Sequence, residues 1–308
     1  MLTVAIITPI LYNCNHYVVT HFGSMGKAFF IGKKLPYRIE SYQMSTFEKE
    51  AYGRFYLPYS SEPIELPLLV QELFKIHIIE NRGRGGIRIV NVNNKQLICR
   101  QYIHGGLFRI ITRDLFFTGK RGIHEIGILS YLKERGFPVV TPFCLLTENR
   151  YVFKRLYLFT FYEKNTVEFL EYLKSSGKKK RMRMIKRFAQ LLWSLETLGI
   201  YHPDLHLNNI LVTKEKDMIF LDFDKSRKKT ITKKDMESMF WRLNRFVEKM
   251  EEKGYIKFDI KEKILFLRTY KKISGYDIIT VMGKQIATKR QTYKIGWFIE
   301  SFLYGGVK

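Results

Sequence analysis

Three polar residues in two neighbouring segments form the part of the sequence best suited to chemistry. They are Asp204, Asn209 and Asp222, and the last of them follows the apolar run 218–221. A carboxylate on a rigid loop can accept or orient the proton of an attacking hydroxyl. An amide oxygen five residues later, and a second carboxylate after the next strand, can hold metal ions that neutralise the phosphates of a nucleotide. The types and spacing of these residues therefore indicate metal-assisted phosphoryl transfer.

The residues around this group predict the elements that position it. Residues 182–198 are expected to form a helix with one apolar face. That face consists of Ile185, Phe188, Leu192 and Leu195. Short apolar runs at 210–212 and 218–221 predict a hairpin between the two functional segments. His202 shortly precedes Asp204, and we expect it to be a buried structural residue rather than a catalyst.

The rest of the chain divides into a β-rich first half and a helical second half. Strands are predicted at 74–79, 87–92, 96–102, 142–147 and 151–161, and further helices at 123–136, 166–174, 235–253 and 261–274. A five-stranded antiparallel sheet with one helix, followed by helices, is an α+β arrangement of two lobes, at 73–163 and 164–308. Ligands often bind between such lobes. Residues 1–72 show no clear pattern and are expected to form an N-terminal extension.

Composition and charge narrow the class of protein. The 308 residues are 46% hydrophobic and 27% charged, which excludes disordered, collagenous and small disulfide-rich chains. Lys and Arg number 53 against 29 Asp and Glu, which gives a net charge of +24. This excess predicts an anionic partner: nucleic acid, a phosphorylated substrate or an acidic membrane surface. A lysine-rich genome composition is an alternative source of the lysines, but it does not explain the scarcity of acidic residues.

Cysteine usage and hydropathy predict a reducing compartment. Cys14, Cys99 and Cys144 are odd in number and far apart, so neither a disulfide framework nor a zinc site is expected. The apolar run 2–11 is interrupted by Pro9 and is shorter than a membrane span, which needs about 20 residues. We therefore expect a cytoplasmic protein whose association with a membrane is peripheral.

Five short motifs occur within residues 81–225. They are R-x-Y-x-x-G-G from Arg100, D-x-x-F-x-G from Asp114, G-x-P-V from Gly136, D-L-x-x-x-N-I-L from Asp204 and L-D-F-D from Leu221. In this order they resemble the bacterial lipopolysaccharide core kinase family, which phosphorylates the sugars 3-deoxy-D-manno-octulosonic acid (Kdo) or heptose. The Kdo kinase branch is the nearer match, because the heptose branch usually has a different loop chemistry around the catalytic aspartate.

The resemblance implies a two-lobed protein-kinase-like fold that uses ATP and Mg²⁺. It assigns Asp204 as the catalytic carboxylate, and Asn209 and Asp222 as the metal ligands. It also implies that Arg100 contacts the nucleotide phosphates and pairs with Glu125. The loop that covers the phosphates corresponds to Gly83, Gly85 and Gly86. Glycine suits such a loop because a backbone without Cβ atoms can approach phosphates closely.

Three positions depart from the usual kinase pattern. Pro203 replaces the arginine with which many protein kinases sense phosphorylation, so that form of control is not expected. His206 is a further candidate site residue, because sugar and antibiotic kinases also place histidine there. Asp224 replaces the glycine of D-F-G, and it is a candidate for ordering the loop or the metal. The short segment between Asp224 and the next predicted helix leaves little room for a peptide and favours a small or glycolipid acceptor.

Two basic runs, at 174–187 and 225–234, are expected to contact an anionic surface. Kdo–lipid A is anionic, and each lysine near an anionic leaflet contributes about 1 kcal/mol of binding free energy. The predicted function is therefore phosphorylation of Kdo–lipid A by a protein bound peripherally to the cytoplasmic face of the inner membrane. No obligate nucleic-acid partner and no particular oligomeric state are predicted.

Three alternatives remain open at this point. A heptose kinase of the same family would share the predicted catalytic chemistry. A minimal protein kinase is disfavoured by the short segment after Asp224. A pseudokinase-like binder of anionic lipid or nucleic acid is favoured by the net charge of +24, but the filled catalytic and metal-binding positions argue against it.

Overall fold

The structure is a computed structural model that describes residues 18–22, 28–31, 37–45, 50–58, 69, 87–92, 94–104 and 112–284. The chain divides into two units, residues 1–164 and residues 165–308. The first unit contains the β-rich part and the second contains the helical part, so the predicted α+β class is confirmed.

Two antiparallel sheets make up the β-structure of the first unit. A ribbon pairs β1 (Val18–Phe22) with β2 (Ala28–Ile31). The larger sheet consists of β3 (Tyr37–Ser45), β4 (Glu50–Pro58), β5 (Ile87–Val92), β6 (Lys95–Gln101), β7 (Pro142–Arg150) and β8 (Phe153–Phe161). These strands lie in the order β3-β4-β7-β8-β6-β5, and each neighbouring pair is antiparallel.

The described sheet differs from the predicted one in the number of strands. It has six described strands rather than five, because β3 and β4 come from the segment 1–72, to which the sequence analysis assigned no structure. Strand β4 is hard to recognise in the sequence because residues 55–58 are all buried, so the alternation of a half-buried strand is lost. The strand predicted at 74–79 lies outside the described residues.

A single described helix of the first unit, α1 (Lys120–Glu134), packs against the sheet. Its apolar face of Ile126, Leu129 and Leu132 is buried, as the three-residue spacing predicted. The helix begins three residues before the predicted start. Its first turn lies close to β7, since a Cβ atom on Gly122 would come within 2.5 Å of Leu145 Cδ1. This close approach brings the following turn, with Glu125, against the sheet.

The second unit consists mainly of four described helices. They are α2 (Phe169–Ser175), α3 (Lys178–Thr197), α4 (Lys233–Glu252) and α5 (Ile260–Ser274). All four were predicted, with boundaries shifted by a few residues. Helix α4 starts with a capping box, in which Thr232 and Asp235 satisfy each other's backbone N–H groups. Within the described part of the chain, no helix combines the length and apolar character needed to cross a bilayer.

Short strands connect these helices to the segments that the sequence analysis singled out. β9 (Val167–Glu168), β11 (Ile210–Val212) and β12 (Met218–Phe220) form a small antiparallel sheet, and β10 (Ile200–Tyr201) pairs with β13 (Arg227–Lys228). The loop 202–209 therefore runs from one short sheet to the other. Its two ends are fixed by backbone hydrogen bonds rather than by side chains alone.

The turn between α3 and β10 requires glycine. Gly199 has φ +73°, and a Cβ atom there would lie 2.9 Å from the backbone oxygen of Lys229. The same pair is joined by a hydrogen bond of 2.8 Å from the Lys229 N–H to the Gly199 oxygen. An L-residue at this position would meet both an unfavourable backbone conformation and a steric clash.

We predict that Gly199→Ala destabilises the protein by about 2 kcal/mol or more, because φ strain and the contact with Lys229 act together. Gly254→Ala separates the two effects, since Gly254 has φ +67° but open space around its Cα. Its expected cost is about 1 kcal/mol. Gly177→Ala, at an ordinary φ of −69° with open space, is the matched control. Equal urea-unfolding midpoints for the Gly199 and Gly177 variants would contradict the prediction.

Candidate active site

The side chain of Asp204 lies on the loop between β10 and β11 and is held by two cations. Its Oδ1 accepts hydrogen bonds from Arg242 Nε at 3.0 Å and Nη2 at 2.6 Å. Its Oδ2 accepts a hydrogen bond from Lys225 Nζ at 3.2 Å. Both carboxylate oxygens are thus oriented, one by helix α4 and the other by the segment after β12.

These contacts determine the ionisation of Asp204. Partial burial would raise the pKa of its carboxyl, but the hydrogen bonds and charges of Arg242 and Lys225 outweigh that effect and lower the pKa to about 2. The group is therefore a carboxylate at neutral pH. A carboxylate with so low a pKa is a weak proton acceptor, so it is better suited to orienting a hydroxyl than to deprotonating it before attack.

One face of helix α4 lies against the loop that carries Asp204. Three side chains at i, i+3 and i+7 of the helix contact alternate residues of the loop. The helix residues are Met239, Arg242 and Phe246, and their loop partners are His202, Asp204 and His206. Residues at this spacing share one side of a helix. The loop is thereby fixed at three successive points, and we call this set of contacts the α4 seam.

The two histidines of the seam are packed against apolar partners. His202 is buried, its backbone N–H lies 3.2 Å from Met239 Sδ, and its ring is 5.0 Å from that of Phe223. Burial lowers the pKa of His202 to about 4, although the nearby aspartates oppose this shift. The ring of His206 stacks on Phe246 with centroids 4.9 Å apart, and burial together with the Arg242 charge lowers its pKa. Both rings are therefore neutral at pH 7.

The backbone of the β11–β12 hairpin brings the two predicted metal ligands to one end. Ile210 pairs with Phe220, and the Leu221 N–H donates to the Asn209 oxygen at 2.8 Å. Asn209 Nδ2 also donates to the backbone oxygen of Asp204 at 3.3 Å, which leaves its amide oxygen to face elsewhere. Asp222 comes directly after this paired region with φ +57°, a left-handed conformation that aspartate tolerates better than most residues.

The donor set at this hairpin end fits magnesium. Asn209 and Asp222 offer one amide oxygen and one carboxylate, and hard oxygen donors are the ligands that Mg²⁺ prefers. Among the described residues, no group of three or more His, Cys, Asp or Glu side chains is arranged to hold a metal. A site with few protein ligands is typical of Mg²⁺, which usually completes its coordination with water and substrate phosphates.

In the first unit, the expected contact between Arg100 and Glu125 is present. Arg100 Nη2 on β6 lies 2.5 Å from Glu125 Oε2 on α1, and the Tyr102 hydroxyl donates to the same oxygen. The Glu125 side chain is 1% exposed and that of Arg100 is 31% exposed. Tyr102 also supports the guanidinium, whose carbon lies 5.0 Å from the ring centroid. The buried acid therefore holds an arginine whose side chain is itself partly exposed.

The remaining predicted site residues have different outcomes. Gly83, Gly85 and Gly86 lie outside the described residues, so their assignment to a phosphate loop stays a prediction. Asp224 is partly buried, directly before the Lys225 that contacts Asp204, and its role in metal binding also stays a prediction.

Sequence reasoning missed the two cations that hold Asp204. Lys225 was visible only as a member of a basic run. Arg242 is 38 residues away from Asp204 in sequence, but one local signal was present. It lies on the same helical face as Met239 and Phe246, where an arginine interrupts an otherwise apolar stripe. A charged residue in such a position needs a partner, and here the partner is the Asp204 carboxylate.

A family described as "Lipopolysaccharide kinase (Kdo/WaaP) family" matches residues 74–270. A 3-deoxy-D-manno-octulosonic acid kinase of Vibrio vulnificus is 22% identical over 188 residues, which cover 58% of this chain and 79% of the relative. The enzyme of the same name from Xylella fastidiosa is 24% identical over 231 residues, covering 72% and 81%.

Among solved structures, a divergent Toxoplasma kinase that lacks the glycine-rich loop aligns with a TM-score of 0.41 and 16% identity. The alignment covers 72% of this chain and 81% of that chain.

We predict that the buried, neutral His202 makes stability depend on pH between about 6.5 and 4. Because its pKa is about 4 in the folded state and about 6.5 in the unfolded state, the unfolded state binds more protons in this interval. The free energy of unfolding should therefore fall by about 3 kcal/mol as the pH drops through the interval. In His202→Leu, which keeps the apolar contacts with Phe223, this contribution should be lost.

The matched control is His124→Gln, at an exposed position of α1, which should keep the wild-type pH dependence. Urea unfolding at several pH values measures the effect. Parallel stability curves for the wild type and His202→Leu would show that His202 is not the titrating group.

Proposed function

This chain belongs to the lipopolysaccharide kinase (Kdo/WaaP) family, and on that premise we propose that it transfers the γ-phosphoryl group of ATP to a hydroxyl of Kdo on lipid A. The observation that carries the proposal is the held, ionised carboxylate of Asp204 beside a hairpin end that presents Asn209 and Asp222. This set matches what phosphoryl transfer to an alcohol requires: a group that orients the nucleophile and ligands for a metal.

In the proposed reaction, Asp204 accepts a hydrogen bond from the acceptor hydroxyl and directs its oxygen toward the γ-phosphorus. A new P–O bond forms to that oxygen, and the bond between the γ-phosphorus and the β–γ bridging oxygen breaks. ADP leaves, and the hydroxyl proton passes to the Asp204 carboxylate and then to water. The low pKa of Asp204 suits this order, because the proton is transferred once P–O bond formation has acidified the hydroxyl.

The other site residues would hold the phosphates in place. Asn209 and Asp222 would hold Mg²⁺, which when bound neutralises phosphate charge. Arg100, whose side chain is 31% exposed, would bind phosphate oxygens through its guanidinium. Glu125 and Tyr102 would keep the guanidinium in one orientation.

Two observations support a sugar acceptor rather than a peptide. The curated relatives with 22% and 24% identity are named as kinases of 3-deoxy-D-manno-octulosonic acid. In addition, helix α4 begins at Lys233, so only residues 225–232 separate it from Asp224. Part of that segment is used to pair β13 with β10 and to cap α4. Little chain is left to form a platform for an extended peptide.

We further propose that the protein binds peripherally to the anionic cytoplasmic face of the inner membrane, where Kdo–lipid A is made available. The first half of helix α3 supports this, because its basic side chains are solvent-exposed. They are Lys178, Lys179, Lys180, Arg183, Lys186 and Arg187. Near an anionic leaflet, each such cation contributes about 1 kcal/mol, so a cluster of this size is sufficient for salt-sensitive membrane binding.

We predict that Asp204→Asn lowers kcat for Kdo phosphorylation by about 100-fold or more, because the amide keeps the shape of the side chain but loses the negative charge. ATP binding should change little. Asp217→Asn, the same substitution at an exposed position of the β11–β12 hairpin, is the control and should retain full activity.

The measurement is transfer of labelled phosphate from ATP with Mg²⁺ to Kdo–lipid A, with heptosylated core and a generic protein in parallel. Label on Kdo that the Asp204 variant loses would support the proposal. Label found only on heptose or only on protein would show that the proposed acceptor is wrong. Transfer by Asp204→Asn at the wild-type rate would show that Asp204 does not have the role assigned to it.

We predict that Glu125→Gln raises the KM for ATP by about tenfold, because Arg100 loses the charge that orients it toward phosphate. The KM for the sugar acceptor should stay the same, since this ion pair lies wholly within the first unit. Glu134→Gln, at the exposed end of the same helix, is the matched control. Steady-state kinetics with each substrate varied in turn would test this, and a change confined to the acceptor KM would contradict it.

A further inference from the structure

The positive charges of Arg242 and Lys225 exceed the single negative charge of the Asp204 carboxylate that they contact. The two cations face one carboxylate, so the three groups together have a net charge of +1. Both cations are accessible, with 35% of the Arg242 side chain and 54% of the Lys225 side chain exposed. A surplus cation at a partly exposed position attracts an anion, and here it does so directly beside the carboxylate that orients the acceptor.

The guanidinium of Arg242 has a second edge that is suited to such an anion. Its Nε and Nη2 atoms both donate to Asp204 Oδ1. Among the described residues, no hydrogen bond involves Nη1, so the edge formed by Nη1 and the remaining Nη2 hydrogen can donate to another group. Two parallel N–H groups at one edge of a guanidinium match the two oxygens of a carboxylate.

Helix α4 holds this edge in a fixed position. The helix is capped by Thr232 and Asp235, and it is anchored to the loop on either side of Arg242 by Met239 and Phe246. A cation held in this way pays less conformational entropy on binding than a free surface side chain does. The arrangement therefore differs from an ordinary surface ion pair, which contributes little.

We propose that Arg242 and Lys225 form an anion subsite that binds a carboxylate of the acceptor sugar next to the hydroxyl oriented by Asp204. This inference rests on the proposed function. In an acidic sugar, the carboxylate and the hydroxyls belong to one rigid ring. A carboxylate bound at the outer edge of Arg242 therefore fixes the ring, and it selects an acidic sugar over a neutral one such as heptose. The γ-phosphate of the nucleotide is the other anion of the reaction that could use the same cations.

The test uses two acceptors that differ only in charge: the methyl glycoside of Kdo and its carboxamide. Calorimetry measures their binding to the wild type and to Arg242→Gln in the presence of ADP and Mg²⁺. We expect the wild type to bind the carboxylate about tenfold more tightly than the carboxamide, and Arg242→Gln to lose this preference. Lys225→Gln should lose part of it. Lys234→Gln, an exposed charge on the same helix, should change the preference by less than about twofold.

The kinetic version of the experiment distinguishes a binding role from a positioning role. Arg242→Gln should raise the acceptor KM for the carboxylate form more than for the carboxamide. An equal fall in kcat for both acceptors, with the carboxylate preference intact, would overturn the proposal and leave Arg242 as a residue that only positions Asp204. A rise confined to the KM for ATP would assign the cations to the γ-phosphate and would also overturn it.

Two further measurements keep the outcomes separate. Arg242→Lys, which keeps the charge but lacks the second edge, should lose most of the carboxylate preference in the calorimetric assay. Thermal melting of each variant identifies any loss of folding. If no sugar is phosphorylated but binding still depends on the carboxylate, the proposed function is wrong and the anion subsite is supported. If phosphate is transferred to Kdo but binding does not depend on the carboxylate, the proposed function is supported and the anion subsite is wrong.

Discussion

The contact between Arg242 and Asp204 links the chemistry of the second unit to its helical framework. Asp204 lies on a loop, and a loop carboxylate that is free to rotate cannot orient a nucleophile. The fork from Arg242 removes that freedom, and the neighbouring contacts of Met239 and Phe246 fix the loop on both sides. The same contact lowers the pKa of the carboxyl. The position of helix α4, which is determined by its cap and its apolar face, therefore controls both the geometry and the acidity of the Asp204 carboxyl.

The Arg100–Glu125 pair of the first unit and the ion pairs of Asp204 in the second unit are built differently, and the difference suits their proposed roles. In the first unit the acid, Glu125, is fully buried and only the arginine reaches solvent. Its task is to hold Arg100 in one orientation, which a buried carboxylate with two donors does well. In the second unit the acid and both cations are partly exposed. These groups can exchange partners with a ligand, as groups that act on a substrate must.

The sequence predicted those helices and strands whose apolar residues recur at regular, short spacings. The apolar residues of α1 and α3 recur at helical spacing. Two short apolar runs between Asn209 and Asp222 predicted the hairpin that connects the segment of Asp204 and Asn209 to Asp222. Strand β4 was missed because the consecutive buried residues 55–58 hide the two-residue period of a strand. The partners of Asp204 were missed for a different reason: an ion pair between residues 38 positions apart depends on tertiary packing, and no local period records it.

The proposed role of Asp204 depends most directly on how strongly Arg242 lowers the pKa of its carboxyl. Carbon-13 NMR of the aspartate carboxyl groups, with Asp204→Asn used to assign the resonance, measures its titration in the wild type and in Arg242→Gln. We predict a midpoint near pH 2 in the wild type and an upward shift in the variant. A wild-type midpoint in the ordinary aspartate range, unchanged in Arg242→Gln, would show that the α4 seam does not control the Asp204 carboxylate.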